Sequence, residues 1–477
     1  MKNPIRIIIF VELILLVSVI CLYFIAPNGN NDSLFLYNFI IAAFVLYVEN
    51  NYSYIYYKQK LDYWLRPTFI FLIGYIIVGY QLFFDVYIGF LPRDADLLIT
   101  PVLLNKGICF SSIGLLAFSI GNLIVQKIPK SKSNNKAGYT FLNIANVLLF
   151  LFFLTSVDSS MLSGEAYVGS ADDETIASEY LLNIIQFCII VQYSINTNKR
   201  LSFIRWFIKM PHIFLFTLLC YWGIRAMSGD RGPVIYSVIS IFLGYSYSTR
   251  QLFKKKVIIV IGLLGMTAVT MAGLSRALVS TSLSDKLTFG IEAYKTVGNI
   301  SISPITMELA GSVRCNQLAL KDINIDNSNF HYGEFQLRYL GTILLSNSVV
   351  EKLFPTELKN TSSADYLTEK FFEDRDKKFG LGSSCTADYY LDFGIIGMVF
   401  CMLFMGCLFK KIDGTMLDLD KNSTGLIWVC LLIGIGSYAI YIPRAVFIFT
   451  LRIPLYMFVV LFCNKRLMAG LRQISTT

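Results

Sequence analysis

The residues best suited to do chemistry sit in a few short polar stretches between long apolar ones. GSSCTADYYLDFGIIG, Gly382 to Gly397, sets Asp388, Tyr389, Tyr390 and Asp392 among serines and glycines just ahead of an apolar run. MELAGSVRC places Glu308 six residues before Arg314, and FHYGEFQLRYLG holds His331, Glu334 and Arg338. One well-placed carboxylate among Glu308, Glu334, Asp388 and Asp392 could take a proton from a hydroxyl as a general base while the others orient substrate or pair with arginines. Asp388 and Glu308 are the first candidates, although a single acid in a large polar loop is more often structural.

Arginine dominates the basic residues of the same stretches. IRAMSGDRGPV carries Arg225, Asp230 and Arg231 around a Gly-Pro turn, and Arg276, Arg314, Arg338 and Arg444 add to them. A solvated hairpin with snorkelling arginines explains the first stretch blandly. The sharper reading is an anion site, because glycine-rich turns let backbone N–H groups approach a phosphate that guanidinium forks grip in two places. Arg452, inside the last apolar run, is costly in lipid and needs a partner or a water-filled cavity.

Other chemistries find less footing. No H-E-x-x-H, paired C-x-x-C or D-x-D pattern offers a metal site, and Gly-Ser-Ser-Cys lacks the strand-turn-helix context of a hydrolase nucleophile. His331 reads first as an ordinary polar loop residue and second as a base. Of the ten cysteines, all but Cys315 and Cys385 fall in apolar runs and read as small hydrophobes. Those two share one external loop, where a disulfide is one option and free thiols the other.

The elements that must position these residues belong to a membrane protein. Hydrophobic residues make up 55% of the 477, aromatics 15% and charged residues only 15%, far from a soluble domain. About twelve apolar runs are long enough to cross a ~30 Å hydrocarbon core. They lie near 6–26, 34–54, 67–84, 106–125, 139–157, 178–195, 211–227, 233–248, 257–274, 393–409, 425–442 and 445–463. Roughly 23 basic residues fall on one side of this threading and about 3 in the short loops opposite, so both termini are expected in the cytoplasm. The net charge of +9 then reflects topology, and no nucleic-acid partner is expected. Residues 1–274 form nine spans, 275–391 a large, partly helical external loop, and 392–477 three further spans. The expected fold is an all-α polytopic integral membrane protein.

SGDRG at the outer end of a middle span, then MELAGSVR, then a long loop closing in GSSCTADYYLDFGIIG before a span, resembles the Wzy-type O-antigen polymerases of bacterial inner membranes. The likeness covers the span count and roughly the second half of the chain. It implies a metal-independent glycosyltransferase of GT-C-like architecture that uses no cofactor. Its substrate would be an undecaprenyl-diphosphate-linked oligosaccharide, its surroundings membrane lipids, and a polysaccharide chain-length regulator a candidate partner. The growing glycan would move from undecaprenyl diphosphate onto the non-reducing end of one lipid-linked repeat unit. Arg225, Arg231, Arg276, Arg314, Arg338 and Arg444 would hold the diphosphate, and Tyr389 would stack on a sugar ring. A flippase or transporter for the same lipid-linked glycan, or an O-antigen ligase, is the alternative. Transporters keep polar groups near the midplane, whereas the charges singled out above gather at the outer face.

Overall fold

The computed structural model describes residues 3–28, 31–57, 64–95, 100–125, 137–157, 173–197, 201–227, 232–249, 295–344, 362–372, 380–417 and 425–474, with isolated positions between them. All regular structure among these residues is helical. The membrane-crossing candidates begin with α1 (Asn3–Ile25), α2 (Asp32–Tyr57), α3 (Pro67–Tyr87) and α4 (Leu104–Ile124). After them come α5 (Thr140–Ser156), α6 (Asp173–Asn196), a short α7 (Phe203–Ile208), α8 (His212–Met227) and α9 (Gly232–Thr249). The segment between α9 and α14 contributes α10 (Met307–Ala310), α11 (Val313–Asn324), α12 (Glu334–Leu344) and α13 (Ser363–Phe371). The chain closes with α14 (Cys385–Leu417), α15 (Leu426–Tyr438) and α16 (Phe447–Ile474).

Seven of these helices are long and apolar enough to cross a membrane, and three more apolar ones are shorter. The ninth expected span, 257–274, lies outside the described residues. α15 has 13 residues, about 20 Å of helix at 1.5 Å per residue, less than the run from 425 to 442 implies. A 3-10 turn, Ile442–Arg444, joins it to α16.

The core forms around α4, whose small residues let neighbours come close. A Cβ on Gly121 would lie 2.0 Å from the Leu403 carbonyl oxygen, and one on Gly406 would lie 2.1 Å from that of Phe118. α4 and α14 therefore touch backbone to backbone, the packing that small residues permit inside membranes. Around the contact, Phe71, Phe118 and Phe409 form a cluster of rings with centroids 4.3–5.5 Å apart.

α14 differs from a plain span. It starts eight residues earlier than the apolar run and breaks at Gly394, whose φ of +66° only glycine adopts without strain. The domain boundary drawn at Leu391 falls inside its first arm, residues 385–393. That arm enters the bundle: Thr386 lies against Gly114, ten residues into α4, and Tyr390 stacks edge-on with Phe110 at 5.2 Å. It rises as α4 descends, turns at Gly394, and the second arm crosses back. Ser384 starts the first arm by accepting the Ala387 N–H at 3.0 Å, as an N-cap does.

Candidate functional site

α3 is the wall on which the segment between α9 and α14 is built. Asp85 accepts from Ser301 Oγ at 2.6 Å and from the Ile302 N–H at 2.9 Å, while Gln81 donates to the Ser303 carbonyl at 2.9 Å. These bonds fix the turn that leads into α10. Lower on the same helix, the Ile440 carbonyl packs on Gly74, thirteen residues or about 20 Å of helix from Tyr87. The connection carrying Arg444 thus meets α3 well inside its length, not beyond its outer end as its place between two spans implies.

The result joins residues far apart in sequence. Arg444 Nη1 lies 3.9 Å from Glu308 Oε1, with 29% and 46% of the two side chains exposed. Arg314 starts the next helix and is mostly buried; desolvation pulls its guanidinium below its usual value, so an anion beside it would be welcomed. Burial pushes the neighbouring Cys315 thiol up to about 12, and both Arg444 and Arg314 act against that rise. Arg444 and Arg314 thus both lie near Cys315, with the accessible Glu308 carboxylate facing Arg444, an arrangement chemically able to hold an anion and to accept a proton.

Asp388 and Asp392 are placed differently. Asp388 is 0% exposed, and its Oδ2 accepts from Gln336 Nε2 at 2.6 Å. Asp392 accepts the N–H groups of Phe335 at 3.3 Å and Gln336 at 3.0 Å. Those amides have no partner within α12, because they belong to its first turn. Both aspartates consequently pin α12 to the first arm of α14. Beside them Tyr339 Oη, Ser363 Oγ and Ser383 Oγ form a chain with 2.9 Å steps, and Asn316 Oδ1 accepts from Ser384 and Thr386. Arg338, also buried, lies 3.7 Å from Glu334 one turn earlier in α12.

The remaining candidates scatter. Arg225 is buried against Glu179, which also accepts from Tyr221 Oη at 2.5 Å, and its guanidinium sits over Phe153 and Tyr221. It belongs to the α5–α6–α8 corner and is held by an acid. Tyr389 is 4% exposed, so its ring offers no open face to a sugar in this conformation. Arg231 and Arg276, with Asp230, lie outside the described residues. Cys315 and Cys385 are both buried and unbridged in this structure, and Cys315 Sγ is directed at the Leu381 carbonyl 3.7 Å away. Among the described residues no group of three or more His, Cys, Asp or Glu is placed to hold a metal ion.

No family model, curated protein or solved structure matches the chain. Several residues of the site carried no signal of their own in the sequence. Gln81, Asn316 and Gln336 act through contacts with partners 52 to 225 residues away, and only Gln81, a polar side chain in an otherwise apolar helix, left a hint.

His331 packs between Phe335 and Tyr366, with ring centroids 4.8 and 4.9 Å away, and its Nε2 has no hydrogen-bond partner among the described residues. Burial pulls its pKa below 6.5, outweighing Asp322 and Glu334, which push it up. The unfolded chain then binds a proton that the folded one rejects, so this stability is complete above about pH 6.5 and is lost as pH falls from there through the lower folded value. Melting temperatures of the wild type are expected to drop over that window, and His331→Gln should flatten the drop. An unchanged slope in the variant would assign the acid sensitivity to other groups.

Proposed function

We propose that the chain is a polymerase of lipid-linked repeat units, of the Wzy type that its outer-loop stretches resemble. The single observation that carries this reading is the pairing of Glu308 with Arg444 beside Cys315, whose thiol Arg314 also influences. In the reaction, an acceptor sugar hydroxyl attacks the anomeric carbon of the glycan held on undecaprenyl diphosphate. Glu308 takes the hydroxyl proton, a new C–O bond forms, and the anomeric C–O bond to phosphate breaks. Undecaprenyl diphosphate departs with the bonding pair, and the arginines stabilise its growing negative charge. Asp388 and Asp392 hold the α12–α14 frame rather than react. No cofactor and no metal take part, and the architecture is GT-C-like with twelve spans.

The proposed setting is a bacterial inner membrane with both termini cytoplasmic, an orientation that rests on the distribution of basic residues; which helix ends meet supports only the alternation of sides. Asp32 with Arg93, and Asn105 with the Pro27 carbonyl, join ends expected outside. Glu49 with Arg66, and Asp413 with the Thr68 N–H, join ends expected inside.

A transport reading is favoured by one specific feature, the buried ionic groups of that inner end, which the outer-face clustering of charge did not anticipate. Deleting the gene separates the two. Loss of a polymerase is expected to leave lipopolysaccharide capped with one repeat unit, whereas loss of a flippase or ligase leaves none. A complete absence of capped lipopolysaccharide would refute the polymerase assignment.

A further inference from the structure

Away from the outer-face site, α1, α2 and α4 share a polar seam. Glu12 lies near the middle of α1 and is 0% exposed. Its Oε1 accepts from Ser119 Oγ at 2.8 Å, while Oε2 is buried and has no hydrogen-bond partner among the described residues. One turn further along α4, Asn122 Nδ2 donates to Glu49 Oε2 at 2.7 Å, and the Asn122 Oδ1 is likewise buried without a partner. Glu49 is close enough to act on Glu12 electrostatically.

The cations nearby are already engaged. Arg66 lies 2.7 Å from Glu49 and 3.9 Å from Asp413, and Lys410 is buried beside Glu49 and Asp413. The basic residue of α1 itself, Arg6, is exposed. Among the described residues, if every group ionised, three carboxylates (Glu12, Glu49 and Asp413) would face two cations (Arg66 and Lys410). A buried set of this kind is costly unless its charge balances, and Glu12 is the carboxyl with no cationic partner among the described residues.

We propose that Glu12 is a proton-binding site within the membrane bundle, exchanging with the cytoplasmic side along Ser119, Asn122 and Glu49. Binding converts the carboxylate to a neutral carboxylic acid, which removes the uncompensated charge at Glu12. The site stands whether the outer-face chemistry is polymerisation or transport.

Infrared spectroscopy and carbodiimide labelling of the purified full-length protein in detergent test it. The wild type minus Glu12→Gln difference spectrum is expected to contain the carbonyl band of a protonated carboxylic acid, and Ser119→Ala is expected to shift that band in the wild-type background. Dicyclohexylcarbodiimide should label the Glu12 peptide at acidic pH, lose it at alkaline pH, and leave the Glu12→Gln peptide unmodified. Should Glu12→Gln fail to fold, the band shift in Ser119→Ala carries the test. Carboxylate bands at acidic pH in place of the acid carbonyl overturn the proposal, as does labelling blocked by sodium at constant pH, which would mark a metal cation site instead.

Discussion

Glu308→Gln is expected to fold and insert normally yet lose chain extension by about 10²–10⁴-fold, the usual contribution of a positioned general base. Glutamine keeps the size and polarity of the side chain, so the Arg444 neighbour at 3.9 Å retains an acceptor while the proton has nowhere to go. Arg444→Lys and Arg314→Lys should each reduce turnover as well, because an ammonium cannot reproduce the two-point grip of a guanidinium on a diphosphate. Asp388→Asn supplies the contrast: an asparagine oxygen can still accept from Gln336 Nε2, so extension should persist within several-fold. Glycan ladders from membranes matched for expression read all four variants. A dead Asp388→Asn beside an active Glu308→Gln would reverse the assignment of the base.

The second large effect concerns stability. Gly121→Val and Gly406→Val place a branched side chain where the bare Cβ already meets a backbone carbonyl at 2.0 or 2.1 Å. Backbone atoms cannot swing aside, so α4 and α14 must separate, opening the Phe71–Phe118–Phe409 cluster. Overpacking of this kind costs about 1–3 kcal/mol and sometimes more, enough to lower the melting temperature and yield sharply. Gly223→Ala is the control, since nothing lies within 4 Å of its Cβ position and alanine favours helix by up to about 1 kcal/mol. Equal thermal stability of Gly121→Val and Gly223→Ala in detergent would show that the close helix contact does not hold the bundle together.

How much was legible before the structure depends on what each signal needs. Hydropathy marked α1 to α6 because a span is a local property of some twenty residues. It overstated α15 and started α14 too late, since serines, aspartates and tyrosines lower the hydropathy of a helix that nevertheless packs inside the bundle. The pairing of Glu308 with Arg444 joins residues 136 apart in sequence, and nothing local encodes it. Asp388 and Asp392 stood out as acids, but holding α12, Asp392 through its first N–H groups and Asp388 through the Gln336 side chain, is set by where that helix begins. Burial likewise reversed the expectation for Tyr389, which sequence places at a lipid boundary and the fold places inside. Glu12 and Glu49 were not singled out at all, because their bonds to Ser119 and Asn122 exist only once the helices are packed.

Purified protein in detergent or nanodiscs, given a synthetic undecaprenyl-diphosphate-linked repeat unit and no other enzyme, tests the central claim most directly. Polymerisation at the Glu308–Arg444 site predicts a ladder of lipid-linked oligomers with release of undecaprenyl diphosphate, and no ladder from Glu308→Gln. Unchanged monomer with folded wild-type protein, or a ladder of equal strength from Glu308→Gln, would contradict it.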